Sequence, residues 1–212
     1  DAGPMRLRDF TAALDAAAKD EKIAHALLLL DDFAGAGLPT LREAAAAIDR
    51  FRAAGKKVYA WGAGYDQRQY FLAAHASEVW LHPMGSVLVT GYAAQRSYLK
   101  DALDKLGVQA HVLRAGQYKN AGETFTASAP SPQTQEADRA LYDGLWASYA
   151  GAVEKARKLP AGALSRSLDA LPESLVAAGG DTAKLALQEK WVDALKTRDE
   201  MRQALVEAGV KD

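Results

Sequence analysis

The segment Gly116-Gln117-Tyr118-Lys119-Asn120-Ala121-Gly122-Glu123 combines one lysine with small residues in a single loop. It follows an apolar run, residues 110–114, directly, and open α/β sheets carry functional loops at such strand ends. Its glycines let the backbone approach another surface closely. Lysine has a reference pKa of about 10.4, so roughly one amine in a thousand is neutral near pH 7.4. Burial away from any carboxylate can lower that value by as much as about 3–5. A lysine so placed takes protons as a general base. The ordinary alternative is a solvated lysine beside Glu123.

The other residues that could do chemistry form weaker patterns. His25, His75, His82 and His111 show no pairing at helical metal-ligand spacing, so no metal is expected. His25 and His111 lie within apolar strand-like runs and read as satisfied structural histidines. Gly62-Ala63-Gly64 and Gly35-Ala36-Gly37 are short enough to turn around an anion. Neither completes a phosphate-binding or dinucleotide fingerprint, so both read as tight turns. Asp31-Asp32 reads as solvated or capping carboxylates rather than a hard-cation site. Ser77, Ser86 and Ser97 lack the glycine-flanked setting of a nucleophile elbow.

The elements that must position these groups alternate in type. Leu7, Phe10, Leu14 and Ala17 recur at helical spacing. Residues 26–30 form a continuous apolar run, expected to be a strand buried on both faces. Thr40-Leu41-Arg42-Glu43 has the pattern of a capping box, and the helix it opens should stop at Gly55. Residues 58–61 and 79–81 read as strands, with a short helix through Tyr70 and Leu72 between them. A weaker strand is expected at 86–89, a helix at 95–106 and a last strand at 110–114. Residues 116–130 read as a long polar loop. A helix then begins at Ser131-Pro132, with proline at its first position. Strand signals fade beyond residue 160, and Thr197 with Glu200 forms a second capping box. This alternation specifies an α/β fold with a largely parallel sheet. The expected organisation is an α/β core over residues 1–160 and a mainly helical extension of the same domain over 161–212.

Composition narrows the function classes. The chain has 212 residues, of which 49% are apolar and 25% charged, values ordinary for a globular domain. A formal net charge of −1 supplies no basic field for nucleic acid. With no cysteine, disulfides, thiolate nucleophiles and cysteine-held metals are excluded. No apolar run approaches the roughly 20 residues a membrane span needs. The chain opens on Asp1 rather than Met, so it is expected to be a piece of a longer protein, with any anchor upstream.

Several segments together resemble the N-terminal domain of long-form signal peptide peptidase A (protease IV), of peptidase family S49. They include Gly55-Lys56-Lys57-Val58-Tyr59-Ala60, Gln69-Tyr70-Phe71-Leu72-Ala73, Val79-Trp80-Leu81 and Leu103-Asp104-Lys105-Leu106-Gly107-Val108. The most specific is Gly116-Gln117-Tyr118-Lys119 with Ala121, Glu123 and Phe125. Ser131-Pro132, Glu136-Ala137-Asp138, Leu145-Trp146, Gly180-Asp181-Thr182-Ala183 and Val192-Asp193-Ala194-Leu195 follow in order.

The resemblance implies a Clp/crotonase-like fold of repeated strand–strand–helix units and a serine peptidase with a Ser/Lys dyad. Lys119 matches the family's general base, and the serine comes from a homologous C-terminal domain of the same protein. No cofactor is implied. The implied substrates are cleaved, hydrophobic signal peptides. The implied parent is a homo-oligomer, a tetramer, anchored in the bacterial inner membrane with this domain facing the periplasm. The sequence departs from the catalytic pattern at Asp66-Gln67-Arg68-Gln69, where the catalytic copy carries Ala-Ser-Gly-Gly. Gln67 cannot act as a nucleophile, so Gly35-Ala36-Gly37 would be a vestigial oxyanion loop and this chain alone is expected to be inactive. The alternatives are a non-catalytic scaffold or substrate-recruiting copy, and an acyl-CoA hydratase or isomerase on the same fold. The latter normally needs an active-site carboxylate that no motif here supplies.

Overall fold

A computed structural model describes residues 5–210. In chain order its elements are α1 (Leu7–Lys19), β1 (His25–Leu29), α2 (Leu38–Ala53), β2 (Lys57–Gly62), α3 (Gln67–Ala73), β3 (Glu78–Leu81), α4 (Lys100–Lys105), α5 (Glu123–Thr126), α6 (Pro132–Arg157), α7 (Ala163–Asp169), α8 (Leu171–Ala177), α9 (Thr182–Gln188), β4 (Ala194–Leu195) and α10 (Arg198–Glu207). The strands form one parallel sheet in the order β1-β2-β3-β4. The fold is therefore α/β with a parallel sheet, as the alternation of elements requires. The backbone divides into two compact units. One comprises residues 5–90 with 149–210; the other is Gly91–Ser148.

The first unit is built on the sheet. Period-two alternation sends Tyr59, Trp61 and Trp80 to one face, where they bury against Met201 and Leu205 of α10. Val58, Ala60 and Val79 point to the other face and are fully buried. The helix α2 supplies Ala44, Ala45, Ala47, Ile48 and Phe51 to the core, and its alanines let helix and sheet approach closely. Buried polar groups are paired as they must be. Tyr65 Oη donates to the Trp80 carbonyl at 2.8 Å, and Tyr70 Oη to the Trp191 carbonyl at 2.9 Å. Burial pushes both phenols well above their ordinary pKa. Arg157 forms a bidentate pair with Asp193 at 2.8 and 2.9 Å, and Asp193 also accepts from the Val79 N–H at 2.7 Å. That links the end of α6 to the sheet.

Four local expectations are corrected. First, β1 is not buried on both faces: Leu27 and Leu29 are 37% and 50% exposed. Strand β1 lies at the sheet edge, and an apolar run by itself does not distinguish edge from centre. Second, α2 begins at Leu38 with Gly37 as its cap, not at a Thr40 capping box. Pro39 occupies the first turn, where its missing N–H costs nothing. Third, residues 95–99 are not helical. The Leu99 N–H is engaged by the Thr124 carbonyl at 2.7 Å, and α4 starts only at Lys100.

Fourth, strands are absent where two were expected and present where none was. Segment 86–89 makes a single bridge, Tyr65 to Val87, and 110–114 pairs with nothing and is exposed. Conversely, Ala194–Leu195 pairs with β3 and closes the sheet. The capping box at Thr197 and Glu200 forms as read, as does the stop of α2 before Gly55, whose φ is +83°.

Candidate active site

Lys119 lies in the second unit, in the loop between residues 115 and 122, and is exposed. Its backbone is not free. The Lys119 N–H donates to the Gly116 carbonyl at 3.3 Å, closing a turn in which Gly116 takes φ +99°, a conformation that favours glycine. Both neighbours of Lys119 reach the start of α6. Tyr118 Oη donates to Glu136 at 3.1 Å, which raises the Tyr118 pKa, and Asn120 Nδ2 donates to Thr134 Oγ1. Close packing completes the loop. A Cβ at Gly122 would stand 2.5 Å from Val112 Cγ1, so only glycine fits there.

Beneath the loop is a buried carboxylate. Glu123 is 8% exposed and Thr134 is 3% exposed. The Glu123 carboxylate accepts from the Ser131 N–H, from Ser131 Oγ at 3.0 Å and from Thr134 Oγ1. Three donors satisfy an acceptor-only group, so the carboxylate form is favoured and the Glu123 pKa is lowered, the Thr134 hydroxyl being the largest cause. Ser131 in turn caps α6 by accepting from the Thr134 N–H at 3.3 Å. Glu123 thus directs its charge to the start of α6, while Lys119 is exposed, as the ordinary alternative of a solvated lysine expects.

Gln67, which the resemblance sets at the place of the family's serine, lies in the first unit. Asp66 caps α3 by accepting from the Arg68 and Gln69 N–H groups at 2.8 and 2.7 Å, while Gln69 Oε1 accepts from the Asp66 N–H at 2.7 Å. This capping box fixes Gln67 at the first turn. Gln67 Oε1 accepts from the Thr90 N–H at 2.9 Å, and its carbonyl accepts from Tyr149 Oη at 2.8 Å. The side chain there is an amide, with no group that can attack a carbonyl. The glycine loop expected to be a vestigial oxyanion loop is packed against Arg68. A Cβ at Gly35 would stand 2.6 Å from Arg68 Cδ and Nη1, and Arg68 Nη1 donates to the Ala34 carbonyl at 3.4 Å.

The histidines take separate roles. His75 Nδ1 bonds Asp49 at 3.0 Å, and His82 Nδ1 accepts from the Met84 N–H at 3.2 Å. His111 is exposed, and buried His25 Nδ1 makes no hydrogen bond, so neither is a satisfied core histidine. Of the two aspartates after β1, Asp31 accepts from the Ala63 N–H at 3.0 Å and braces that turn. Among the described residues no three His, Asp or Glu side chains converge on a metal position. Nor is any helix among them long and apolar enough to cross a membrane. Sequence reading singled out Lys119 and Gln67 but missed Ser131 and Thr134 as partners of Glu123. The only signal for them was a serine and a threonine flanking a helix-opening proline.

Comparison with known proteins adds to this geometry. The family model described as "Peptidase family S49" matches residues 50–209. The chain is 40% identical over 199 residues to "Protease 4" of Salmonella typhi, covering 94% of this chain and 32% of that protein. It is 33% identical over 190 residues to "Protease 4" of Haemophilus influenzae, covering 90% of this chain and 31% of that one. It is 26% identical over 140 residues to "Serine protease SPPA, chloroplastic" of Arabidopsis thaliana, covering 66% of this chain. The chain spans about a third of the length of the two bacterial relatives.

Proposed function

Since this chain belongs to peptidase family S49, we propose that it is the N-terminal domain of a signal peptide peptidase, supplying the general base of a Ser/Lys dyad from Lys119. The observation that carries this reading is an exposed lysine on a loop tethered through both of its neighbours, within a stretch shared with two proteins named Protease 4. The serine is supplied by a further domain, because Gln67 cannot attack. In the reaction, the neutral Lys119 amine takes the proton of the serine hydroxyl as that oxygen bonds to the substrate carbonyl carbon. The ammonium then returns the proton to the leaving amine nitrogen as the C–N bond breaks. Water resolves the acyl-enzyme by the same proton path. Docking of the second domain removes water from Lys119, and that desolvation favours the neutral amine.

On this reading the substrates are apolar signal peptides, and the working form is a membrane-anchored homo-oligomer on the periplasmic side. The isolated chain is inactive. A second reading, a scaffold copy without catalytic residues, is favoured by Gln67 and by Arg68 packed on Gly35. One experiment separates the two. In the full-length protein, Lys119→Ala should lower kcat on an apolar reporter peptide by several orders of magnitude, with the thermal unfolding temperature unchanged. Near-normal turnover would assign the base elsewhere and leave this domain as a scaffold.

A further inference from the structure

In the second unit, the only buried side chains among the described residues are Glu123 and Thr134. A buried charge is costly unless fully hydrogen-bonded, so its presence in so small a unit requires a reason. Its bonds show what it holds. Thr134 Oγ1 has one proton, which goes to Glu123, and its lone pair receives the Asn120 amide. The Glu123 N–H donates back to the Asn120 carbonyl at 3.0 Å. Residue 120 is therefore held on both sides, by its side chain through Thr134 and by its carbonyl through Glu123. It is the residue that follows Lys119.

We propose that Glu123 and Thr134 are positioning residues for Lys119, a buried carboxylate–hydroxyl tether that fixes the lysine's backbone to the start of α6. The proposal rests on the reading of Lys119 as the base. Neither residue touches substrate; both act through Asn120. Without the carboxylate, the Thr134 proton turns to its remaining neighbour, Ser131 Oγ at 3.1 Å, and the Asn120 amide loses its aligned partner. The lysine then samples positions from which its amine does not meet the serine. A displacement of about 1 Å at a reacting group can cost on the order of 100-fold in rate.

The test uses the full-length protein and five variants: Lys119→Ala, Glu123→Ala, Thr134→Val, Thr134→Ser and, as a stability control in the other unit, Leu164→Ala. Glu123→Ala and Thr134→Val should each lower kcat by roughly 10- to 100-fold, with KM within about threefold of the parent. Thr134→Ser keeps the hydroxyl and should restore kcat to within about threefold. In the two weak variants the acid-side limb of kcat/KM should move to higher pH, because a mobile, better-hydrated amine stays protonated longer. Leu164→Ala should not move that limb.

Retention of activity by Lys119→Ala would overturn the base assignment and this inference with it. If Lys119→Ala is inactive while Glu123→Ala and Thr134→Val turn over normally, the base assignment stands and the tether is wrong. If Thr134→Ser is as weak as Thr134→Val, or the pH limb stays fixed in both weak variants, the network has only a general structural role and the inference also fails.

Discussion

The two units of the molecule are held together by opposite means. In the unit that carries the sheet, the buried side chains are almost all apolar or aromatic, from Ile48 and Phe51 through Tyr70 and Phe71 to Leu164. In Gly91–Ser148, no apolar side chain is buried, and Leu106, Val112, Leu113, Phe125 and Leu141 are exposed. What is buried there is Glu123 with Thr134, backed by surface pairs such as Arg96 with Asp138 at 2.7 Å. Apolar burial is non-directional and tolerant, whereas a polar network is directional and fails when one member is lost. The unit that carries Gln67 is therefore rigid through its core. The unit that presents Lys119 is ordered by a few hydrogen bonds, and small chemical changes should reach it first.

A deletion in the core of the sheet unit is the strongest way to expose that contrast. Phe71 is fully buried, with its ring centroid 5.4 Å from that of Tyr149 and 5.5 Å from that of His75. Phe71→Ala should cost about 3–5 kcal/mol of unfolding free energy, from lost transfer energy plus the cavity left behind. Urea denaturation followed by tryptophan fluorescence measures it, since Trp61, Trp80 and Trp191 are buried in the same unit. A cost under about 1 kcal/mol would mean that the sheet unit is not held by its apolar core and would break the contrast.

The same contrast explains which features were legible in the sequence. Strands β2 and β3 announced themselves as apolar runs because both lie inside the sheet and are buried on both faces. The run 110–114 has equal strand character but no ladder partner, and strand propensity expresses itself only where a neighbour accepts the hydrogen bonds. Strand β4 escaped notice because two residues are too few to show a period. At the candidate site, Lys119 stood out through its small neighbours and through family resemblance. Glu123 looked like an adjacent surface charge. Its true partners are 8 and 11 residues away, across a turn and a proline, and local spacing rules do not reach that far.

Acid is the next probe, and its effect should be confined at first to the second unit. The folded pKa of Glu123 lies below its unfolded value, which is about 4.3 for a glutamate. Its contribution to stability is therefore fully present above that unfolded value and is lost as the pH falls through the lowered folded value. Amide hydrogen exchange at Ser131 and Thr134 should accelerate as the pH drops from about 5 to about 3, relative to the intrinsic rate, while Ala60 and Phe71 stay protected. Simultaneous loss of protection in both units would show one cooperative structure rather than two differently held regions. Unchanged protection at Ser131 down to about pH 3 would show that the carboxylate does not hold this unit.

The smallest effect should come from the most exposed large apolar side chain of the weaker unit. Leu113 is 100% exposed and sits in the strand-like run that found no partner. Replacing it with serine removes apolar surface that is already in water, so no transfer energy is lost and no cavity is made. Leu113→Ser should leave the unfolding free energy of this chain within about 0.5 kcal/mol of its parent. The matching change in the sheet unit, Leu164→Ser, strips a fully buried side chain and places a hydroxyl in the core, and should cost several-fold more. Equal costs at the two positions would mean that Leu113 is packed in solution and that the second unit has an apolar core after all. A near-zero cost at Leu113 beside a large one at Leu164 would confirm that apolar burial stabilises the sheet unit at a position where the second unit has none.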